Sequence, residues 1–162
     1  MPRVDLFTSL EALLRELTYG TALTGGFVLN PGDAGLIASL DRLTPREAST
    51  SASGGASIAA HVAHLSYGLS LLNRWAAGEN PFESADWGAA WRLGDVSESE
   101  WTHLRADLRT QVDGWLAALA TPRDMSDVEL NGVVGSVAHL AYHLGAIRQI
   151  QAGTRGPRDG ES

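Results

Sequence analysis

Five histidines are the residues of this chain best suited to chemistry, and four of them fall in two short stretches, His61 with His64 and His139 with His143. His139 and His143 are four residues apart. At 3.6 residues per turn this places them one above the other on a single helix face. Two imidazoles so arranged can converge on one divalent ion, as they do in the HExxH proteins. That motif itself is absent, because Leu140 follows His139 where the motif has glutamate. On a helical wheel the pair flanks Ala146, Ile147 and Ile150, so it borders the apolar stripe. His61 and His64 lie inside or beside a second apolar arc made by Leu65, Leu69, Leu71, Leu72 and Trp75, and Gly68 leaves room one turn beyond His64. Two helices can therefore present a histidine pair and a single histidine to a shared interior. Three neutral imidazoles can hold a divalent ion and leave one position open, the arrangement of a catalytic site rather than a structural one. The plain alternative is four histidines at a buried edge, each bonded to a carbonyl. His103, near Trp101, has no partner pattern and reads as a surface or groove-edge residue.

The elements that must position these residues follow from apolar periodicity and stop signals. Asp5 is placed to cap a first helix over residues 5–19, with Leu6, Leu10, Leu13, Leu14 and Leu17 on one face and Gly20 as its stop. Residues 21–31 read as an irregular connection through Gly25-Gly26 and Asn30-Pro31. A short helix follows near 33–43. Residues 44–56, rich in Ser, Thr, Ala and Gly, read as a loop. Ser57 caps a second long helix over 57–77 that carries His61 and His64. Residues 79–97 form a long connection with room for one helical turn, bearing Phe82, Trp87 and Trp91. Ser97 with Glu100 has the spacing of a capping box and opens a third long helix to about 120, where Thr121-Pro122 breaks it. Residues 123–131 read as a polar connection, 132–152 as the fourth long helix, and 153–162 as a mobile polar tail. The pattern predicts an all-α protein, a four-helix bundle with one short extra helix, in a single domain over residues 1–152.

Composition narrows the function. With 162 residues the chain can bury a real core, and 44% hydrophobic residues exclude a disordered one. There is no cysteine, which excludes disulfides, thiolate metal sites and a cysteine nucleophile. All 12 basic residues are arginine, so neither a Schiff-base lysine nor a P-loop lysine exists. The formal charge of -7 and the scattered arginines argue against nucleic acid and anionic membranes as partners. No run approaches the ~20 apolar residues of a membrane span, and residues 1–5 lack a signal pattern, so a cytoplasmic setting is expected.

Two blocks resemble a known family. The stretch Ser57-Ile58-Ala59-Ala60-His61-Val62-Ala63-His64-Leu65 resembles the second-helix signature of the DinB-like (YfiT-like) superfamily, in which a capping serine precedes a ligand histidine by seven residues. That spacing selects His64 over His61 and leaves open whether His61 contributes. The stretch from His139 to Ile150 resembles the last-helix block of the same family, a histidine pair followed by a Gly-x-Ile-like run. The resemblance implies a four-helix bundle with an unusual connection order. It implies a divalent metal, such as zinc, nickel, manganese or iron, held by His64, His139 and His143. It also implies homodimers and, in some members, transfer of a low-molecular-weight thiol (bacillithiol, mycothiol or glutathione) to electrophiles. The chain departs from the family pattern at Ala56, where a tryptophan is frequent, and at Tyr67, where an acidic residue is frequent. The second departure removes a carboxylate that could orient the ligand shell.

In a thiol transferase the missing cysteine is no obstacle, because the thiol arrives as a cosubstrate beside a small-molecule electrophile. Tyr142 and Arg148 are then the residues placed to meet cosubstrate, Arg148 through an anionic group. The alternative for Arg148 is a salt bridge. Trp87 and Trp91 could wall an apolar pocket or simply pack. Two rival readings stand beside this one. A metal-dependent hydrolase would use the same ligands but need a base for bound water. A non-enzymatic helical binding or dimerisation module would need no turnover.

Overall fold

The computed structural model describes residues 6–121 and 123–158. The Asp5 cap, Pro122 of the expected break and the last four residues of the expected tail lie outside them. The described residues are mostly helical and contain no strand, only an isolated antiparallel bridge between Ser51 and Ser57. Six α-helices follow in order: α1 (Leu6–Tyr19), α2 (Gly35–Asp41), α3 (Pro45–Ala48), α4 (Ile58–Ala76), α5 (Glu98–Leu119) and α6 (Asp127–Ile150). Two 3-10 turns, Phe82–Ser84 and Ala89–Arg92, lie in the connection between α4 and α5, where one helical turn is expected, and a third, Ala152–Thr154, follows α6. None of the helices is long and apolar enough to cross a membrane.

Side-chain caps fix where the helices start. Ser57 accepts from Ala60 N–H at 3.1 Å and opens α4 as expected. Ser97 and Glu100 close a reciprocal capping box at α5. Two further capping boxes correct the sequence reading. Ser126 and Glu129 start α6 at Asp127, within the stretch read as a polar connection, so the last helix begins five residues before the expected position. Thr44 and Glu47, with Pro45 at the first helical position, build the single turn α3 inside the stretch read as loop.

The long helices bury their leucine stripes in one core. α4 packs on both α5 and α6, and α1 packs on the same two helices from elsewhere. Leu14, Leu36, Ile58, Val62, Leu108, Val112, Val133 and Ile147 are wholly buried there. Two core tryptophans keep their indole N–H groups satisfied. Trp101 donates to the Leu43 carbonyl at 2.9 Å, and Trp115 donates to Ser136 Oγ at 2.9 Å.

The 21–34 connection is organised by two buried carboxylates. Glu16 accepts three backbone N–H groups, from Phe27 (2.9 Å), Val28 (2.6 Å) and Leu29 (2.7 Å). Burial pushes its pKa up, but the three donors outweigh it and hold the carboxyl below its ordinary value. Asp33 accepts from Gly35 N–H and from Arg148, both at 2.8 Å. Residues near the C-terminus meet this loop as well. Thr154 is fully buried, and Asn30 Nδ2 donates to the Pro157 carbonyl at 2.8 Å. Within the stretch expected as a mobile tail, Gly156 and Pro157 therefore sit against the 21–34 connection, while Gly153, Arg155 and Arg158 are exposed.

Gly20 is the tightest point. Its φ of +90° is in the left-handed region, and a Cβ there would stand 2.1 Å from the Asp33 carbonyl oxygen. Gly20→Ala should therefore destabilise the fold by about 2–4 kcal/mol in urea melts, combining left-handed strain with overpacking. A loss below about 0.5 kcal/mol, the range of an ordinary surface substitution, would contradict this close approach.

Candidate metal centre

The site is built from one face of α4 and one face of α6. His64 and His143 are buried, while His61 and His139 are half-buried. One ring nitrogen from each of His64, His139 and His143 lies within 4.8 Å of the other two. His139 Nε2 is the meeting point, 2.9 Å from His143 Nε2 and 3.1 Å from His64 Nε2. Three nitrogens bound to one zinc at tetrahedral angles stand about 3.3 Å apart. The two separations from His139 Nε2 need only a few tenths of an ångström of spreading. The residues thus fit a divalent ion in donor type, number and spacing. No carboxylate belongs to this group among the described residues.

The electrostatics favour the ligand form. Burial pushes the His143 pKa down to about 3, with the neighbouring His139, His61 and His64 imidazoles adding to the effect. Burial, then His139 and His61, push His64 below its ordinary value. Burial alone lowers His61 and His139. All four rings are therefore neutral at pH 7, and a neutral imidazole keeps the lone pair that a metal needs.

The connection after α4 roofs the cluster. Trp91 stacks on His64, with centroids 4.4 Å apart and planes 27° apart, and meets His61 edge-on at 5.5 Å. Asp86 holds this connection in shape. Its carboxylate accepts from Gly88 N–H at 3.0 Å and from Arg92 at 2.6 Å, and its own N–H donates to Tyr67 Oη at 3.0 Å. Tyr67, the departure from the acidic residue of the resembled family, thus supports the segment that carries Trp87 and Trp91. Beside the cluster runs an apolar cleft of about 430 Å³, lined by His64, Gly68, Trp87, Gly132, Gly135 and His139 among others. A Cβ at Gly68 would touch Trp87, whereas one at Gly132 or Gly135 would meet nothing within 4 Å.

The structure brings together the three histidines expected as ligands, and adds His61, whose Nδ1 lies 2.8 Å from His143 Nδ1. Trp87 and Trp91 border the site, as one of the two sequence readings has it. Tyr142 is 71% exposed, with its ring edge-on to His143 at 5.1 Å, so it lies at the margin. Arg148 is engaged elsewhere, in the ion pair with the 2%-exposed Asp33 carboxylate. That is the salt-bridge alternative for this residue. His103 is exposed on α5 and takes no part in the group. The small-residue wall at Gly132 and Gly135 escaped the sequence reading, although both lie on the His139 face of the helix, seven and four residues before it. Searches of protein-family models, curated proteins and solved structures find no match to the chain.

Protonation and the Arg148 ion pair each lead to a measurable effect. The histidines bind fewer protons folded than unfolded at pH between their lowered values and about 6.5. The stability they allow is therefore complete above about pH 6.5 and falls as pH drops below it. Thermal melts of chelator-treated protein should show Tm falling from pH 7 to pH 5, with a shallower fall in His143→Leu. Equal slopes in both proteins would contradict the assignment. Arg148→Leu strands the Asp33 carboxylate and should cost about 3 kcal/mol, read by urea denaturation. A neutral effect would show that the Arg148–Asp33 pair does not hold α6 to the 21–34 connection.

Proposed function

We propose that this chain is a DinB-like four-helix bundle that acts as a metal-dependent thiol S-transferase, with His64, His139 and His143 as ligands of one divalent ion. The observation that carries the reading is the convergence of three neutral imidazoles, of which His64 and His139 line an apolar cleft. The likeness of the Ser57–Leu65 and His139–Ile150 blocks to that family supports it. A divalent ion bound there supplies the positive charge that favours a thiolate over a thiol at neutral pH.

The chain's own residues do the rest. His64, His139 and His143 stay uncharged and each presents a bare ring nitrogen to the ion. The cleft between α4 and α6, walled by Gly132 and Gly135, accepts an uncharged apolar electrophile. Trp87 gives that electrophile an aromatic wall. The incoming thiol loses its proton to solvent, its sulfur forms a bond to the electrophilic carbon, and the leaving group departs with the bonding pair. Zinc, nickel, manganese and iron all suit three imidazoles. A homodimer, also implied by the resemblance, belongs to the same proposal.

A hydrolase is the weaker reading because it needs a base beside bound water, and the cluster among the described residues is histidine alone. The test is turnover of an activated haloarene with a panel of low-molecular-weight thiols, using the metal-loaded protein. We expect product only with thiol present. Gly135→Leu should raise KM on the order of tenfold or more by filling the cleft, with metal content unchanged. Thiol-independent loss of the haloarene would favour hydrolysis, and no turnover with any thiol would contradict the transferase.

A further inference from the structure

The contact between His61 and His143 is not part of the three-ligand group, and it has a direction. His61 Nδ1 and His143 Nδ1 are 2.8 Å apart, so one of them carries the proton that joins them. His143 Nε2 lies 2.9 Å from His139 Nε2, on the side of the ring that faces the cluster. A neutral imidazole holds one proton. When Nε2 of His143 is bare for a metal, its proton must be on Nδ1, and it then points at His61. Ligand histidines usually give this outer N–H to a carboxylate or a carbonyl. The geometry points to His61 as a positioning residue that accepts the Nδ1–H of His143 through its own Nδ1 and so fixes the tautomer and ring orientation of that ligand.

Two further observations fit this role. His64, the other buried ring of the group, has an Nδ1 with no hydrogen-bond partner, and stacking on Trp91 orients it instead. Trp91 also meets His61 edge-on, so the acceptor is itself held in place. His61 lies on α4, one turn before His64, so the same helix supplies a ligand to the cluster and an acceptor to the ligand facing it from α6. The contact uses Nδ1 on both sides, and His61 cannot reach the metal through the nitrogen that is already bonded to His143.

This inference rests on the three-histidine metal reading. The test compares zinc affinity of wild type, His61→Asn and His61→Leu by competition with a chromophoric chelator, with helix content checked by circular dichroism. Asparagine and leucine have nearly the same shape, but only asparagine offers an acceptor oxygen where His61 Nδ1 stands. We expect zinc binding to weaken about 10–100-fold in the leucine variant and to return near the wild-type value in the asparagine variant. Long-range proton–nitrogen NMR spectra of the zinc-loaded wild type should show His61 with its proton on Nε2 and His143 with its proton on Nδ1. Equal affinity in wild type and the leucine variant, or a His61 proton on Nδ1, would overturn this role and leave the metal site standing. Failure of the wild type to bind zinc would overturn the metal reading and this inference together.

Discussion

Imidazoles whose nitrogens lie 2.9 and 3.1 Å apart cannot all be cations, nor can they all aim lone pairs at one another without a positive charge between them. Everything about the site follows from that constraint. Burial keeps His64 and His143 neutral, and the half-buried His61 and His139 are lowered in the same direction. Four neutral rings in van der Waals contact have few ways to distribute their protons. The proposed divalent ion, at the point where the three Nε2 groups meet, would resolve the lone-pair crowding and would need no net charge from the protein.

Holding the rings at this spacing requires α4 and α6 to face each other in a fixed register. The core does this through Val62, Leu65 and Leu69 of α4 and Val133, Val137, Leu140 and Leu144 of α6, all buried. The Trp115 bond to Ser136 pins α6 to α5 one turn before His139. On the outer side, the Tyr67–Asp86–Arg92 contacts shape the connection that lays Trp91 over His64. The Glu16 and Asp33 carboxylates organise a different region, the 21–34 connection. Through Arg148, Asp33 ties the C-terminal part of α6 to it. The same helix is thus anchored on both sides of its histidine pair.

Much of this was legible in the sequence because helix periodicity is local. The i,i+4 spacing of His139 and His143 and the Ser57 cap seven residues before His64 depend only on helix geometry, and the structure keeps both. The choice of His64 over His61 rested on the resemblance, and the three-histidine group agrees with it. What was missed depended on weaker local signals or on distant contacts. Thr44-x-x-Glu47 and Ser126-x-x-Glu129 have the same capping-box spacing as Ser97-x-x-Glu100; the first opens into a Ser- and Thr-rich stretch with few apolar residues, and the second follows the polar run Arg123-Asp124 and reads as part of it, although Leu130, Val133 and Val134 come directly after. The bond of His61 to His143 joins residues 82 positions apart. The stacking of Trp91 on His64 depends on the fold of a connection with little periodicity. The burial of Thr154 and the bond of Asn30 to Pro157 likewise depend on parts of the chain that are distant in sequence.

Whether His64, His139 and His143 together hold one divalent ion is tested most directly by metal content. Tag-free protein, purified without chelators or added metal, would be measured by elemental analysis before and after reconstitution with zinc. It should carry about one ion per chain, as a single open three-histidine site requires. The His143→Ala variant, folded by circular dichroism, should carry none. Wild-type protein that takes up no divalent ion even after reconstitution, or a His143→Ala variant that retains the full amount, would contradict the three-histidine metal centre.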